Sequence, residues 1–372
     1  MKNLFLILIA LIGPNFLFAQ ELKMDFEEYE PTSTLKVPEH IITKAKFPFI
    51  DIHNHQGNMP SQDSRKVVEE MDKLNMAYMV NLSGRGFSRF TDSRGETQFG
   101  IKGPDYLVAS IKASQEQTNG RIIQFTNIDF SGIDQPEWTT IAVKQLEEDV
   151  KAGARGLKIY KNLGLEFHFK DGRRLQCNDP IMDPIWEKCG ELGIPILIHT
   201  GEPAPFFDPH DRFNERWLEL KQFPSRARPP EKFPTWEQVM SEHFDMIRKH
   251  PNTTFISAHF AWMGNDLTRL GNMLDTYPNM VTEFGAIVAE LGRQPQFARA
   301  FFIKYQDRIL FGKDTWAPEE YHTYFRLLET NDEYFKYFRK RHAFWRMYGL
   351  NLPDDVLKKI YYTNAAKILK IE

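Results

Sequence analysis

The 372-residue sequence contains only two cysteines, Cys177 and Cys189. That is too few for a disulfide-stapled scaffold, and neither sits in the paired C-x2-C spacing of a structural zinc site. No charge of one sign dominates: 47 Lys and Arg stand against 50 Asp and Glu, a net of −3, with the basic residues spread along the chain. This excludes the electrostatic footprint of a nucleic-acid binder or of a protein held on an anionic membrane surface. Low-complexity tracts are absent, and past the first twenty residues no apolar run approaches the length of a bilayer span. What remains suits a protein that handles a small molecule, with 30 Phe to build a large core.

The chain opens MKNLFLILIALIGPNFLFAQ. Lys2 precedes an apolar stretch from Leu4 to Ile12, and Phe18-Ala19-Gln20 offers a cleavage point after Ala19, which predicts an export signal over 1–19. Gly13, Pro14 and Asn15 interrupt the apolar stretch and argue against a membrane anchor. A periplasmic or secreted protein without stable membrane insertion is therefore expected. Residues 20–46 are polar, with Pro31 and Pro38, and read as an irregular arm ahead of a single domain over 47–372. In an exported protein the two cysteines could pair, but two buried thiols are the preferred expectation.

From Phe47 onward a short apolar strand followed by helical sequence recurs eight times. The strands read as 47–53, 77–82, 121–128, 155–160, 194–199, 254–259, 280–284 and 308–311, each bounded by Gly, Pro, Asn or Asp. Helical spacing of apolar residues marks 64–75, 137–152, 181–192, 237–249 and 266–277, and 356–369 reads as a closing helix. Eight β/α units predict an α/β fold, a TIM barrel. Two connections exceed ordinary loop length: 200–234 after the fifth strand, and 319–355 after the eighth, which is aromatic and read as helical. Such insertions shape a binding mouth or cap it. The aromatic stretch 334–345 suits either a cap or a homodimer surface.

Chemistry concentrates at the strand ends. His53 and His55 lie two apart at the end of the first strand, so alternation aims both imidazoles at one face, where they can share a metal ion. Lys158 lies near the end of strand four, His199 ends strand five, His259 ends strand six and Asp314 follows strand eight. In a barrel of this kind those ends converge on one mouth. Glu283 ends strand seven, acidic where apolar residues are the rule, and can hydrogen-bond a ligand histidine or a substrate hydroxyl. Arg85 and Arg89 after strand two either grip a substrate carboxylate or form a solvated loop; Trp262 and Trp316 either wall the pocket or pack in the core; His210 lies in the long fifth-strand loop within reach of substrate.

The order His-x-His, Lys, His, His, Asp across strands one, four, five, six and eight resembles the amidohydrolase superfamily. The phrases Ile-Leu-Ile-His199-Thr-Gly and Ile-Leu-Phe-Gly-Lys-Asp314 resemble its amidohydrolase-related branch of decarboxylases and lactone hydrolases, over 47–369. The resemblance implies a divalent ion, commonly zinc and one rather than two, held by His53, His55, His199 and Asp314, with His259 orienting substrate or water. Lys158 matches the bridging position of two-metal members. The implied activity is hydrolysis of a small lactone, ester or amide, with Asp314 and His259 catalytic. Decarboxylation within the same branch and a non-catalytic ligand-binding barrel are the alternatives. Export favours hydrolysis. Lys313 departs from the small residue that relatives carry before the aspartate.

Overall fold

The structure is a computed structural model that describes residues 24–25, 27–342 and 345–371. The export signal expected over 1–19 lies outside the described residues. Two compact units are distinguished, Met1–Val37 and Pro38–Glu372, and every strand and helix described below belongs to the second. Among the described residues no helix is long and apolar enough to cross a membrane.

All eight expected staves form. They are β1 (Phe49–Asn54), β2 (Met76–Asn81), a third stave made of β5 (Ile122–Gln124) and β6 (Thr126–Asn127), then β7 (Leu157–Ile159), β8 (Ile196–Ile198), β9 (Phe255–Ser257), β10 (Met280–Glu283) and β11 (Ile309–Leu310). Every pairing among them is parallel, in the orders β1-β2-β5 and β6-β7-β8-β9-β10-β11. The third stave is interrupted only at Phe125, whose N–H still donates to Asn81 O at 3.0 Å. Eighth and first staves meet as well: Ile52 N–H donates to Phe311 O at 3.0 Å, and Asp314 N–H to His53 O at 2.7 Å. The fold is a TIM barrel.

Strand alternation sorts the apolar residues into two cores. Ile50, Ile52, Val80, Leu82, Phe125, Leu197, Ile256, Val281 and Leu310 fill the barrel interior. Phe49, Met79, Ile122, Ile159, Ile198, Phe255, Met280 and Phe311 face the helices instead. The shell includes the expected helices Ser64–Leu74, Trp138–Ala152, Asp183–Leu192, Trp236–Lys249 and Leu267–Thr276. Their ends follow local chemistry: Asn75 and Gly193 take left-handed C-caps, and Thr235 with Gln238 forms a capping box. The helical sequence expected after the second and seventh staves forms Pro104–Thr118 and Pro295–Lys304, whose bounds the sequence reading did not give. Sequence reading missed a hairpin, β3 (Ser88–Thr91) with β4 (Thr97–Gly100), inserted after β2.

The segment 319–355 is less helical than its composition suggests. Its helix Tyr321–Glu329 stops at Thr330, whose hydroxyl accepts from Asp332 N–H in a local turn. Among the described residues from there to Asp354 the chain forms no helix or strand, and Phe335 bridges Met347. It locks onto the 200–234 insertion through charge. Arg216 contacts Glu219 at 2.9 Å and also Glu290, while Glu219 receives Arg226 and the His342 imidazole, the last at 3.0 Å. Cys177 and Cys189 are free and buried, as expected.

Phe49 is fully buried with its ring 4.8 Å from Phe311 and 5.4 Å from Phe325, joining first stave, eighth stave and helical shell. Phe49→Ala should cost about 3–5 kcal/mol, read as a lowered denaturant midpoint with an unchanged slope.

Candidate metal centre

Strand alternation delivers most of the site. Lys158 shares the inward face of β7, flanked by outward Leu157 and Ile159. His199 continues the inward row of Leu197, and Glu283 that of Val281. His53 does not follow so simply, because strict alternation from Ile50 and Ile52 would put Asn54 inside. The pairing of β1 with β2 slips between Asp51 and Asn54. Asn54 instead turns back to Asp51 Oδ2 at 2.9 Å and Tyr321 Oη at 3.0 Å, and His53 reaches the mouth. Past β9, His259 through Trp262 take four successive left-handed conformations, φ between 50 and 57°. Non-glycine residues adopt that region at a cost and persist there where the surroundings enforce it. The turn seats the Trp262 ring 4.4 Å from His259 and 5.5 Å from His199.

The four imidazoles form a row. Ring centroids are 5.4 Å apart from His55 to His53, 4.8 Å from His53 to His259 and 4.6 Å from His259 to His199. Asp314 Oδ1 lies 3.3 Å from His53 Nε2 and 3.7 Å from His55 Nε2. Three rings are anchored through Nδ1: His53 to Glu283 Oε1 at 2.8 Å, His55 to Ser83 Oγ at 2.7 Å and His259 to Gly285 O at 2.7 Å. On the other side, Nε2 of His53, His199 and His259 and the Lys158 ammonium nitrogen are buried without a hydrogen-bond partner. Anchored Nδ1 with open Nε2 is the arrangement of metal-binding histidines. Leaving the three buried imidazole nitrogens unmatched costs about 1–3 kcal/mol each, which a shared cation removes; the Lys158 nitrogen could join them only in its uncharged form. The donor set of nitrogens and a carboxylate suits zinc or another first-row divalent ion.

A second grouping, His53, His259 and Glu283, also lies within ligand range. Its carboxylate is committed elsewhere. Glu283 Oε1 accepts from His53 Nδ1 and from His259 N–H at 2.8 Å, and Oε2 accepts from Gly285 N–H at 2.6 Å. Glu283 is therefore an anchor rather than a ligand. It fits because Gly312 has no side chain: a Cβ there would stand 2.3 Å from Glu283 Oε2.

The electrostatics favour the metal-ready protonation states. Burial holds His53 and His199 well below the usual histidine range and brings His55 to about 4, so all three are neutral near pH 7. Burial also brings Lys158 down to about 7. Burial pushes the Asp314 carboxyl up, but His53, His259, His55 and Lys158 outweigh it and leave it at about 2.

The remaining expected residues scatter. Trp262 joins the site through its left-handed turn. Trp316 packs 5.9 Å from the Tyr321 ring. Arg85 is buried and turned toward Asp149, its Nε 3.3 Å from Oδ2, lining a cavity of about 250 Å³ with Asn127, Asp129 and Trp138. Arg89 is exposed on the β3–β4 hairpin. His210 is exposed and bonded to Trp217 O at 2.9 Å. Lys313 is buried and directed to Glu320 at 2.6 Å. Sequence reading passed over Ser83, which lies two residues beyond β2 and carried the same signal as the others, a polar residue at a strand end. It also passed over Tyr160, whose hydroxyl meets Ser83 Oγ at 3.1 Å, and over Asp51, which takes Tyr321 Oη–H at 2.6 Å and sits at about 6 through burial.

A family model described as amidohydrolase matches residues 50–371. Among solved structures, the chain is similar to a dihydroxybenzoic acid decarboxylase from Polaromonas sp. JS666 with bound manganese and the inhibitor 2-nitroresorcinol. Identity is 15%, coverage is 87% of this chain and 97% of that one, and the TM-score is 0.53. An uncharacterized TIM-barrel protein from Bordetella bronchiseptica aligns at 15% identity over 87% and 99% of the chains, with TM-score 0.50. No curated protein matches the sequence.

Glu283→Gln should weaken binding of a divalent ion about 10–100-fold in calorimetric titration while leaving the circular dichroism spectrum unchanged. A second outcome concerns pH. Folded His55 and His243 titrate at about 4 through burial, against 6.5 when unhindered. Between those values the unfolded chain binds protons that the fold refuses, so stability of the metal-free protein falls as pH drops from 6.5 toward about 4. Asp51, raised to about 6, opposes this together with Asp149 and Glu329, which burial also raises, while His53 and His199, held well below the usual range, add to it. Denaturant midpoints across the window check the sign.

Proposed function

The chain belongs to the amidohydrolase family, a metal-dependent family, and on that premise we propose that it hydrolyses a small-molecule lactone, ester or amide at one divalent ion, zinc by preference, held by His53, His55, His199 and Asp314. The observation that carries this reading is the set of buried, unpartnered Nε2 atoms of His53, His199 and His259 beside the Asp314 carboxylate. A bound ion there would acidify a water and polarise a carbonyl. Asp314, ionised at neutral pH, is suited to accept the proton of the attacking water and to pass it to the leaving group. His259, fixed through Nδ1, presents Nε2 toward the same space and is suited to hold the substrate oxygen as charge develops on it. Trp262 walls that space. The leader-like residues 1–19 support an exported enzyme, and the even charge balance supports a small-molecule substrate over nucleic acid.

A second reading is metal-dependent decarboxylation, in which the same residues orient a carboxylate and return a proton to carbon. The shared fold with a manganese-containing dihydroxybenzoic acid decarboxylase favours keeping it. The leader-like residues 1–19 place hydrolysis first, since decarboxylation of catabolic intermediates is expected inside the cell.

Elemental analysis of protein purified without chelators should give one metal equivalent per chain, lost in His199→Ala and kept in Lys158→Ala. Two equivalents, one of them lost in Lys158→Ala, would replace the single-ion site with a lysine-bridged pair. Asp314→Asn should lower turnover of any accepted substrate by about 10²–10⁴-fold. Release of carbon dioxide in place of an acid and an alcohol or amine would establish the second reading.

A further inference from the structure

One more carboxylate reaches the row of histidines. Two residues past His199, Gly201 takes φ +73°, and a Cβ there would meet Met240 and Val239 at 3.0 and 3.3 Å. This turn folds Glu202 back toward the site, where it is 4% exposed. Its backbone carbonyl is held by Trp236 Nε1–H at 3.1 Å. Among the described residues its side chain is held through one oxygen: Oε1 accepts from Lys161 Nζ at 2.5 Å and from Arg228 Nη2 at 2.9 Å.

The other oxygen is the informative one. A carboxylate serving only to bind an arginine and a lysine would offer both oxygens to them, as the bidentate geometry of guanidinium favours. Here Oε2 accepts no hydrogen bond among the described residues and lies 4.0 Å from His199 Nε2, itself a buried nitrogen without a partner. Four ångströms is too long for a direct hydrogen bond and is the spacing at which one oxygen atom touches both groups. The row of rings thus ends in a carboxylate at each side: Asp314 against His53 and His55, Glu202 against His199.

We propose that Glu202 is a positioning residue of the centre, whose Oε2 accepts a hydrogen bond from a water held on the His199 side of the bound ion, with Lys161 and Arg228 fixing its aim. This rests on the metal-centre reading above. In that role Glu202 orients the reacting water from the flank that Asp314 does not cover, and slows its exchange with bulk solvent.

The test uses the full chain loaded with Mn2+, a paramagnetic probe that needs no substrate. Water-proton relaxation dispersion reads how fast water near the ion exchanges, and calorimetry reads affinity. In Glu202→Gln, which keeps the shape and removes the negative charge, water exchange should quicken severalfold while Mn2+ affinity changes by less than about tenfold. Lys161→Met, which leaves the carboxylate and removes one clamp, should give a smaller shift in the same direction. Thermal midpoints identify variants that fail to fold, and Glu202→Asp, which keeps the charge and withdraws the oxygen, then replaces Glu202→Gln with the same expectation. A relaxation profile identical to wild type in folded, Mn2+-loaded Glu202→Gln overturns the proposal. Failure of the wild type to take up Mn2+ or zinc overturns instead the metal reading on which it rests.

Discussion

The buried carboxylate of Glu283 is the point on which the mouth of the barrel is assembled. It accepts from the His53 ring, from the backbone of His259 and from the backbone of Gly285, so staves one, six and seven meet at one side chain. Fixing the His53 ring through Nδ1 determines which nitrogen remains free to face the other histidines. Gly312, two residues past stave eight, makes the arrangement possible, because any larger residue would occupy the carboxylate's position. A charged group with no exposed surface is tolerated only where its oxygens are hydrogen-bonded, and these are.

The same barrel divides cleanly along its axis. Its interior is apolar from Ile50 through Leu310, which gives the staves a rigid, dry floor. Above that floor the inward positions become Lys158, His199 and Glu283, and burial there shifts protonation toward states that suit a cation. His53, His55 and His199 stay neutral, Lys158 is brought down to about 7 and Asp314 stays ionised. A site so poor in internal hydrogen bonds is costly for the fold alone. It is the expected condition of a centre built to be completed by an ion.

Around the mouth, the two long insertions stabilise each other rather than standing free. Arg216, Glu219, Arg226, Glu290 and His342 join the segments after staves five, seven and eight. Breaking one member would leave buried charge without compensation, which costs more than the intact pairs contribute. The rim is therefore stiff where it carries these charges, and Trp262 and Glu202 are presented from its inner side.

Much of this was already written in the chain. Eight short apolar segments followed by helical sequence determined the barrel, because period-two and period-3.6 patterns are local and survive without tertiary information. His53, His55, Lys158, His199, His259, Glu283 and Asp314 were legible because each lies at or just past the end of a predicted stave, and this fold brings stave ends together. The hairpin after β2 and the helix Pro104–Thr118 were not, since their apolar faces are too dilute to show periodicity; the helix Pro295–Lys304 was not delimited although Ala298, Phe301 and Phe302 stand at helical spacing. Tertiary structure alone decided which polar loop residues joined the centre. Arg85 turned outward to Asp149, and Arg89 and His210 stayed exposed. Ser83 and Glu202 reached the histidines, through a loop after β2 and a glycine turn after β8. The direction of a side chain in an irregular segment depends on long-range partners, Asp149 for one and His55 for another, and no spacing rule along the chain encodes those contacts.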